Sequence, residues 1–260
     1  MKVNVALVTG GASGMGRLAA LDLASKGAKV AIVDMNEENL AATAAESDNI
    51  SAYTCDVSDL QSVRQLVEQV QSELGEIDRL TQCAAIMPGD SVKGMSAELT
   101  NKQMLINYCG TVNMVKTIMD GMEQRGRGQI VVFGSMAGSV LTHGLGGYSA
   151  TKAATNVWME VLAEEQRESP VHYLLVCPPM VNTPLVDQAL EKGPGSIQGA
   201  VKDKRMSEPQ DIVDAVEAAL DKGKGRNNWR VCPQSAGIMM YFRRLAPGLM
   251  WKLMRKANSA

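Results

Sequence analysis

The stretch Val3-Asn4-Val5-Ala6-Leu7-Val8-Thr9-Gly10-Gly11-Ala12-Ser13-Gly14-Met15-Gly16 decides the fold. Its first half, Val3–Val8, is a short apolar run rich in β-branched residues, the pattern of a strand buried on both faces. The run passes straight into a glycine-rich turn, and a helical pattern, Gly14–Lys26, begins at once. Glycines let a backbone approach a ligand closely, and a helix start offers unpaired N–H groups and the positive end of its dipole. Gly10, Ser13, Gly14, Met15 and Gly16 therefore form a candidate phosphate-binding turn. A glycine cluster alone is a weak signal. Here it lies between strand and helix, and Asp34 ends the second strand about two dozen positions after Gly10.

Outward from this turn, strand-like and helical runs alternate. Lys29–Val33 is followed by Glu37–Ala45, Ile50–Thr54 by Asp59–Leu74, Ile77–Ala84 by Glu98–Met122, and Gln129–Gly134 by Tyr148–Glu168. Val171–Cys177, a helix from about Pro209 to Leu220 with its N-cap at or near Ser207, and a last strand at Trp229–Cys232 complete the series. The alternation predicts an α/β fold of the Rossmann type: one domain over residues 1–260, with a doubly wound parallel sheet of about seven strands and helices on both faces. Two stretches break the rhythm. Residues 184–206, rich in Gly, Lys and Gln, read as a mobile substrate lid. The tail, 241–260, mixes Tyr241, Leu245, Leu249, Trp251 and Leu253 with five cations and no acid. That is a basic amphipathic segment, which either packs on the lid or a neighbouring subunit or lies on an anionic membrane.

Bulk properties narrow the function. A net charge of −2 over 260 residues, 45% apolar, and a mean hydropathy of −0.07 give no electrostatic support for nucleic-acid binding and point to small-molecule partners. No apolar run approaches the roughly 20 residues that span a bilayer, and the N-terminus enters a strand without a signal-peptide layout, which predicts a cytoplasmic protein. Cys55, Cys83, Cys109, Cys177 and Cys232 are odd in number and lack CxxC pairing, against a disulfide framework or a metal site. Seventeen methionines against two phenylalanines suit an adaptable apolar pocket, although core filling accounts for most of them.

Asp34 can accept hydrogen bonds from an adenosine ribose and would repel a 2′-phosphate. No basic residue occupies Ser13 or Met35, so NAD is favoured over NADP. The competing reading is that Asp34 only starts the next turn. Asp56 is placed for an adenine ring, and equally for a helix cap with Ser58 and Asp59. Further on, Ser135 ends a strand, Tyr148 follows thirteen residues later, and Lys152 lies one helical turn beyond Tyr148. A lysine ammonium beside a phenol, and the positive charge of an oxidised nicotinamide, both favour the phenolate and make tyrosine usable as a general acid/base. Alone, the Tyr–Lys spacing also fits a surface helix pair.

Thr9-Gly10-x-x-x-Gly14-x-Gly16, the Asp56-Val57 pair, Asn107, Ser135 and Tyr148-Ser149-Ala150-Thr151-Lys152 together resemble the short-chain dehydrogenase/reductase family, over Val3 to about Pro233. The resemblance implies a nicotinamide-dependent oxidoreductase that interconverts a secondary alcohol and a ketone. It implies a tetrad in which Tyr148 transfers the proton, Ser135 holds the substrate oxygen, Lys152 binds the nicotinamide ribose and lowers the tyrosine pKa, and Asn107 supports a proton-relay water. It also implies that Ala84 and Ile86 line the cofactor cleft, with Val57, Pro178, Val181 and the Thr183 hydroxyl completing the set. Dimers or tetramers are expected through the helices beginning near Glu98 and Tyr148, with Trp158 at the interface.

Two departures stand out: Gln82-Cys83-Ala84-Ala85 replaces the family's Asn-Asn-Ala-Gly, and Pro178-Pro179 replaces Pro-Gly, stiffening that segment. Ser135, Leu141, His143, Leu145 and Leu185 are the candidate substrate-pocket residues, and they imply a mostly apolar ligand; His143 fits a loop residue facing water better. A redox-neutral enzyme of the same fold, or a non-catalytic NAD-binding protein, are the rival readings.

Overall fold

Parallel strands covered on both faces read as near-continuous apolar runs, and β1 (Val5–Thr9) is buried at every position. In a computed structural model, which describes residues 1–190, 192–204, 206–223, 230–233 and 236–258, β1 lies between β2 (Lys29–Asp34) and β4 (Arg79–Gln82). Beyond β2 comes β3 (Ile50–Thr54). Beyond β4 come β5 (Gly128–Phe133), β6 (Val171–Val176) and β7 (Arg230–Val231). The described strands form one seven-stranded sheet in the order β3-β2-β1-β4-β5-β6-β7, and every pairing is parallel.

Alternate side chains serve opposite layers. Leu7 and Val33 join the cluster under α3 (Leu60–Leu74), α5 (Gly110–Gln124) and α6 (Gly146–Glu165), while Ala6, Val8 and Ile32 join that under α1 (Gly14–Ser25) and α2 (Glu37–Ala44). On the second face α9 (Pro209–Asp221) covers β5 and β6 through Ile212 and Val216. The pattern is local in origin. Asp59 accepts the Gln61 N–H at 3.0 Å to cap α3, Val63, Leu66, Val67 and Val70 give it a single buried stripe, and Gly75 at φ 109° ends it. The strand order reverses between β1 and β4, and in such sheets the crevice at the carboxyl ends beside that reversal is where ligands bind.

Several boundaries differ from the sequence reading. The helix expected over Glu98–Met122 is α4 (Ala97–Met104), a π turn at Leu105–Cys109 and α5 in one continuous run. The N-cap of α9, expected at or near Ser207, falls on its neighbour Glu208, while Ser207 itself is engaged elsewhere. It bridges to Val181 through Asn182 N–H to Ser207 O and Ser207 N–H to Met180 O, both 2.9 Å, which leaves Glu208 at the N-cap and Pro209 at the first helical position. Trp229, the expected start of the last strand, lies outside the described residues, as do Glu191 and Arg205 of the lid and Ser259 and Ala260 of the tail. The lid contains two helices, α7 (Pro184–Asp187) and α8 (Gly195–Lys202), and the tail forms a helical hairpin, α10 (Ala236–Leu245) and α11 (Pro247–Asn258).

Candidate active site

The glycine turn between β1 and α1 is packed so closely that particular positions require glycine. A Cβ on Gly16 would lie 2.2 Å from Gly10 O, so only glycine lets α1 start this close to β1. Gly10 and Gly14 adopt φ of 67° and 53°, a region that favours glycine. Ser13 occupies the N-cap of α1, but its side chain makes no capping bond. The first N–H groups of α1 thus have no side-chain acceptor, an arrangement suited to phosphate oxygens. Thr9 supplies what the altered Gln82-Cys83-Ala84-Ala85 segment lacks: its hydroxyl donates to Gln82 Oε1 at 2.7 Å and accepts the Cys83 and Ala84 N–H groups, both at 3.1 Å.

From this turn a groove of about 500 Å3 runs along the carboxyl edge of the sheet, and Gly10, Ser13, Gly14, Met15, Gly16, Asp34, Asp56, Val57, Ala84, Ile86 and Thr183 all line it. Asp34 is held by the Met35 and Asn36 N–H groups at 2.8 and 3.2 Å and by Ala12 N–H at 3.4 Å, so its carboxylate is fixed at the groove wall. Asp56 keeps its carboxylate on Ser58 N–H (2.9 Å), while the capping role falls to Asp59. The groove therefore offers uncapped helix donors for phosphates at one point and a fixed carboxylate for ribose hydroxyls at another. These are the requirements of a dinucleotide.

A second cavity, of about 240 Å3, shares a wall with the groove through Met15, Cys83, Ala85, Thr183 and Leu185. Ser135, at the end of β5, and Tyr148 and Lys152, one turn apart on α6, line it together with Pro178 and Val181. Ser135 and Tyr148 lie within hydrogen-bonding range of each other. Lys152 Nζ donates to Phe133 O at 2.7 Å and sits 5.8 Å from the Tyr148 ring centre.

In the polypeptide alone, burial pushes Tyr148 up to about 12, with Ser135 only partly opposing, and burial pushes the Lys152 ammonium down to about 8. The physical reason is that both groups are enclosed, and desolvation penalises the charged form of each. At neutral pH the phenol is consequently a proton donor.

Asn107 sits in the π turn, completely buried. Its Oδ1 accepts Ile86 N–H at 2.8 Å, and its Nδ2 donates to Ile86 O at 2.9 Å and to Thr151 Oγ1 at 3.0 Å. Both amide hydrogens are thereby committed, and its main-chain oxygen accepts from Thr111 at 2.7 Å. Asn107 therefore fixes the segment after β4 against α6. Sequence reading missed Asn156, whose Oδ1 accepts Ser135 N–H at 3.3 Å and whose Nδ2 donates to Ser135 O at 2.9 Å. The available signal was its position one turn beyond Lys152 on the same face. Lys102, Asn39 and Gln188, which also line the groove, were likewise missed. Gln188 accepts Met87 N–H at 2.8 Å and ties the lid to the segment after β4.

Of the substrate-pocket candidates, Ser135, Leu145 and Leu185 line the cavity, whereas Leu141 and His143 do not. His143 faces outward, its ring against Trp251 of α11 at 5.4 Å. The loop before α6 turns at Gly144, φ 74°, which carries Leu145 inward and leaves its neighbour on the surface. Six of the seventeen methionines line the cavity: Met15, Met87, Met136, Met180, Met239 and Met254. The last two come from α10 and α11, so the hairpin packs over the lid and cavity, with Met250 3% exposed.

Comparison with known proteins agrees with this geometry. The family model described as short chain dehydrogenase matches residues 4–193, and the chain belongs to the short-chain dehydrogenase/reductase family, a family of oxidoreductases that bind nicotinamide cofactors. It is 28% identical to acetoacetyl-CoA reductase of Allochromatium vinosum over 92% of this chain and 99% of that one. It is 30% identical to epidermal retinol dehydrogenase 2 of Mus musculus over 74% of this chain and 64% of that one. The solved structure of levodione reductase superposes with a TM-score of 0.80 at 26% identity, covering 91% of this chain and 97% of that one.

Proposed function

We propose that this chain is an NAD-dependent oxidoreductase interconverting a secondary alcohol and a ketone on an apolar substrate, with Tyr148 as general acid/base. The observation that carries the reading is the meeting of Ser135, Tyr148 and Lys152 on one wall of an apolar cavity that adjoins the dinucleotide-shaped groove. Gly10, Ser13, Gly14, Met15 and Gly16 would hold the pyrophosphate, Asp34 the adenosine ribose, Asp56 and Val57 the adenine side, and Ala84, Ile86, Pro178, Val181 and Thr183 the nicotinamide side. When bound, the nicotinamide supplies the acceptor or donor of hydride. The chain supplies the rest: Ser135 hydrogen-bonds the substrate oxygen, Tyr148 gives or takes its proton, and Lys152 orients the nicotinamide ribose and adds positive charge beside the phenol. Asn107 holds the Ile86 segment and Thr151 in place.

Selection of NAD rests on Asp34 and on Arg17, the cation nearest the turn in sequence, being paired with Glu46 at 2.5 Å. The apolar lining leaves little for a highly polar substrate to bond, and relatives named for retinol and levodione are in keeping with that. One domain carries the whole site, with 184–206 as lid and 241–260 as tail. The exposed Leu105, Val157 and Val161, on the helices expected to pair, support a homodimer or homotetramer. Five free thiols suit a reducing, cytoplasmic setting.

The test is NADH appearance at 340 nm with NAD, and separately NADP, across cyclic alcohols, retinol-like alcohols and hydroxy-acyl thioesters, using wild-type protein and Tyr148→Phe. Turnover with NAD that Tyr148→Phe abolishes, while NADH binding by fluorescence persists, is the expected result. Silence across the panel in protein that binds NADH would favour a redox-neutral or non-catalytic role, and equal turnover in the variant would remove Tyr148 from the chemistry.

A further inference from the structure

We propose that the hairpin α10–α11 is a docking surface for an anionic lipid bilayer. Its two sides have separate tasks. Inward, Met239 and Met254 line the cavity, Met240 meets Cys232 with sulfurs 3.9 Å apart, and Met250 is buried. Outward, Ile238, Tyr241 and Leu245 follow the i, i+3, i+7 spacing of one face of α10, and Leu249 and Leu253 the i, i+4 spacing on α11, and all five are exposed. Ile238 is 75% and Leu245 66% exposed. The Pro247-Gly248 break, which interrupts the pattern in sequence, falls at the corner between the helices and leaves each face intact.

Charge selects the occupant. Residues 236–258 carry Arg243, Arg244, Lys252, Arg255 and Lys256 and no acid. The whole chain has a net charge of −2, so the rest carries −7. An anionic surface attracts this side of the molecule and repels the remainder, which orients the protein with the hairpin down. A two-fold pairing through the same face would set five cations against five, which disfavours a second copy. Among the described residues no helix is long and apolar enough to cross a membrane, so the hairpin lies in the interface with its apolar face among the acyl chains. Because the same hairpin roofs the cavity, an apolar substrate dissolved in the bilayer would meet the active-site entrance directly.

The experiment is flotation of the full chain with vesicles of phosphatidylcholine alone or of phosphatidylcholine with phosphatidylserine, at low and high salt. Binding is read without turnover, so it stands or falls separately from the redox assay. The expected result is capture by the phosphatidylserine vesicles that weakens with salt. Arg243→Ala with Arg244→Ala should reduce partition on the order of thirtyfold, and Leu245→Ser with Leu249→Ser by about tenfold or more, with melting temperatures little changed because Arg244, Leu245 and Leu249 are exposed and Arg243 is half-buried. Failure of wild-type protein to float with phosphatidylserine vesicles overturns the proposal. So does equal capture by both vesicle types that the arginine variant leaves unaltered. An oligomer that the leucine variant dissociates, without vesicle binding, would give the face to a second copy instead.

Discussion

Replacing Asn107 by leucine separates a strut from a catalyst. The substitution keeps approximate size and removes three hydrogen bonds, those of 2.8 and 2.9 Å to Ile86 and that of 3.0 Å to Thr151. Thr151 still donates to Tyr148 O at 2.8 Å, so its loss is small. Ile86 loses partners for both its N–H and its C=O. At about 1–3 kcal/mol for each buried polar group left unpaired, and with the half-buried Ile86 partly recovering bonds to water, the total comes to roughly 2–4 kcal/mol. For a chain of this size that is a fall in melting temperature of about 5–15 °C. Urea unfolding of wild type and Asn107→Leu, monitored by circular dichroism, should show the midpoint move with little change in slope, and NADH affinity should fall because Ile86 lines the groove. A variant with an unmoved midpoint and normal NADH binding, but lost turnover, would refute the strut argument and return Asn107 to the chemistry.

Three further outcomes follow from individual contacts. Asp34→Asn keeps an oxygen for the Met35 and Asn36 N–H groups and removes the charge. It should narrow the NAD/NADP ratio of kcat/KM by about tenfold or more, and an unchanged ratio would show that the carboxylate does not select. With Tyr148 up at about 12 and Lys152 down at about 8, alcohol oxidation should climb by about tenfold per pH unit up to about pH 8 and more slowly above it, where Lys152 loses its charge, while ketone reduction should be level below about pH 8. An oxidation plateau below pH 8 would mean that positive charge beside the phenol overrides its burial. Glu217 is opposed by burial, yet Arg79 at 2.6 Å and Lys26 at 3.1 Å hold its carboxyl below the usual range. Its stabilising effect is therefore complete above the unfolded pKa, near 4.5, and lost as pH falls through the lower folded value. Glu217→Gln should cost about 3 kcal/mol near neutrality by leaving the buried Arg79 uncompensated, and a urea midpoint at pH 7 equal to wild type would contradict this.

The sheet was legible because its strands are short apolar runs and its turn residues are punctuated by glycine, both of which act within a few positions in the chain. Leu141 was misplaced, and His143 was a pocket candidate although a water-facing position suited it better, because composition alone does not say which side of a loop faces inward. That is decided by Gly144, whose positive φ turns Leu145 under the lid, and by Trp251, more than a hundred residues away, which gives His143 a partner. Asn156 was overlooked for a related reason: a lone asparagine in a helix has many uses, and only the approach of Ser135 from β5 gives this one its task. Ser207 suited a helix cap by composition but is claimed by pairing with the Val181 segment, a contact absent from any local pattern.

Burial and cofactor choice pull the proposed reaction in opposite directions. Val186, Ala189 and Ile197 of the lid pack with Tyr148 and Leu145 in one apolar cluster, and that enclosure keeps the phenol protonated and fit to donate, as ketone reduction requires. The proposed NAD preference would draw on a pool that cells keep largely oxidised, which suits alcohol oxidation and requires the phenolate. The two demands are reconciled if positive charge stands next to the phenol: an oxidised nicotinamide would bring it when bound, and Lys152 is placed to add to it, its Nζ 5.8 Å from the Tyr148 ring and anchored on Phe133 O. Burial also makes that charge more effective, because the same low-polarity surroundings that raise the phenol pKa leave the field of the ammonium poorly screened. The lid that appears to hinder oxidation is thus what gives Lys152 its leverage, and Lys152→Met should impair oxidation far more than it impairs reduction.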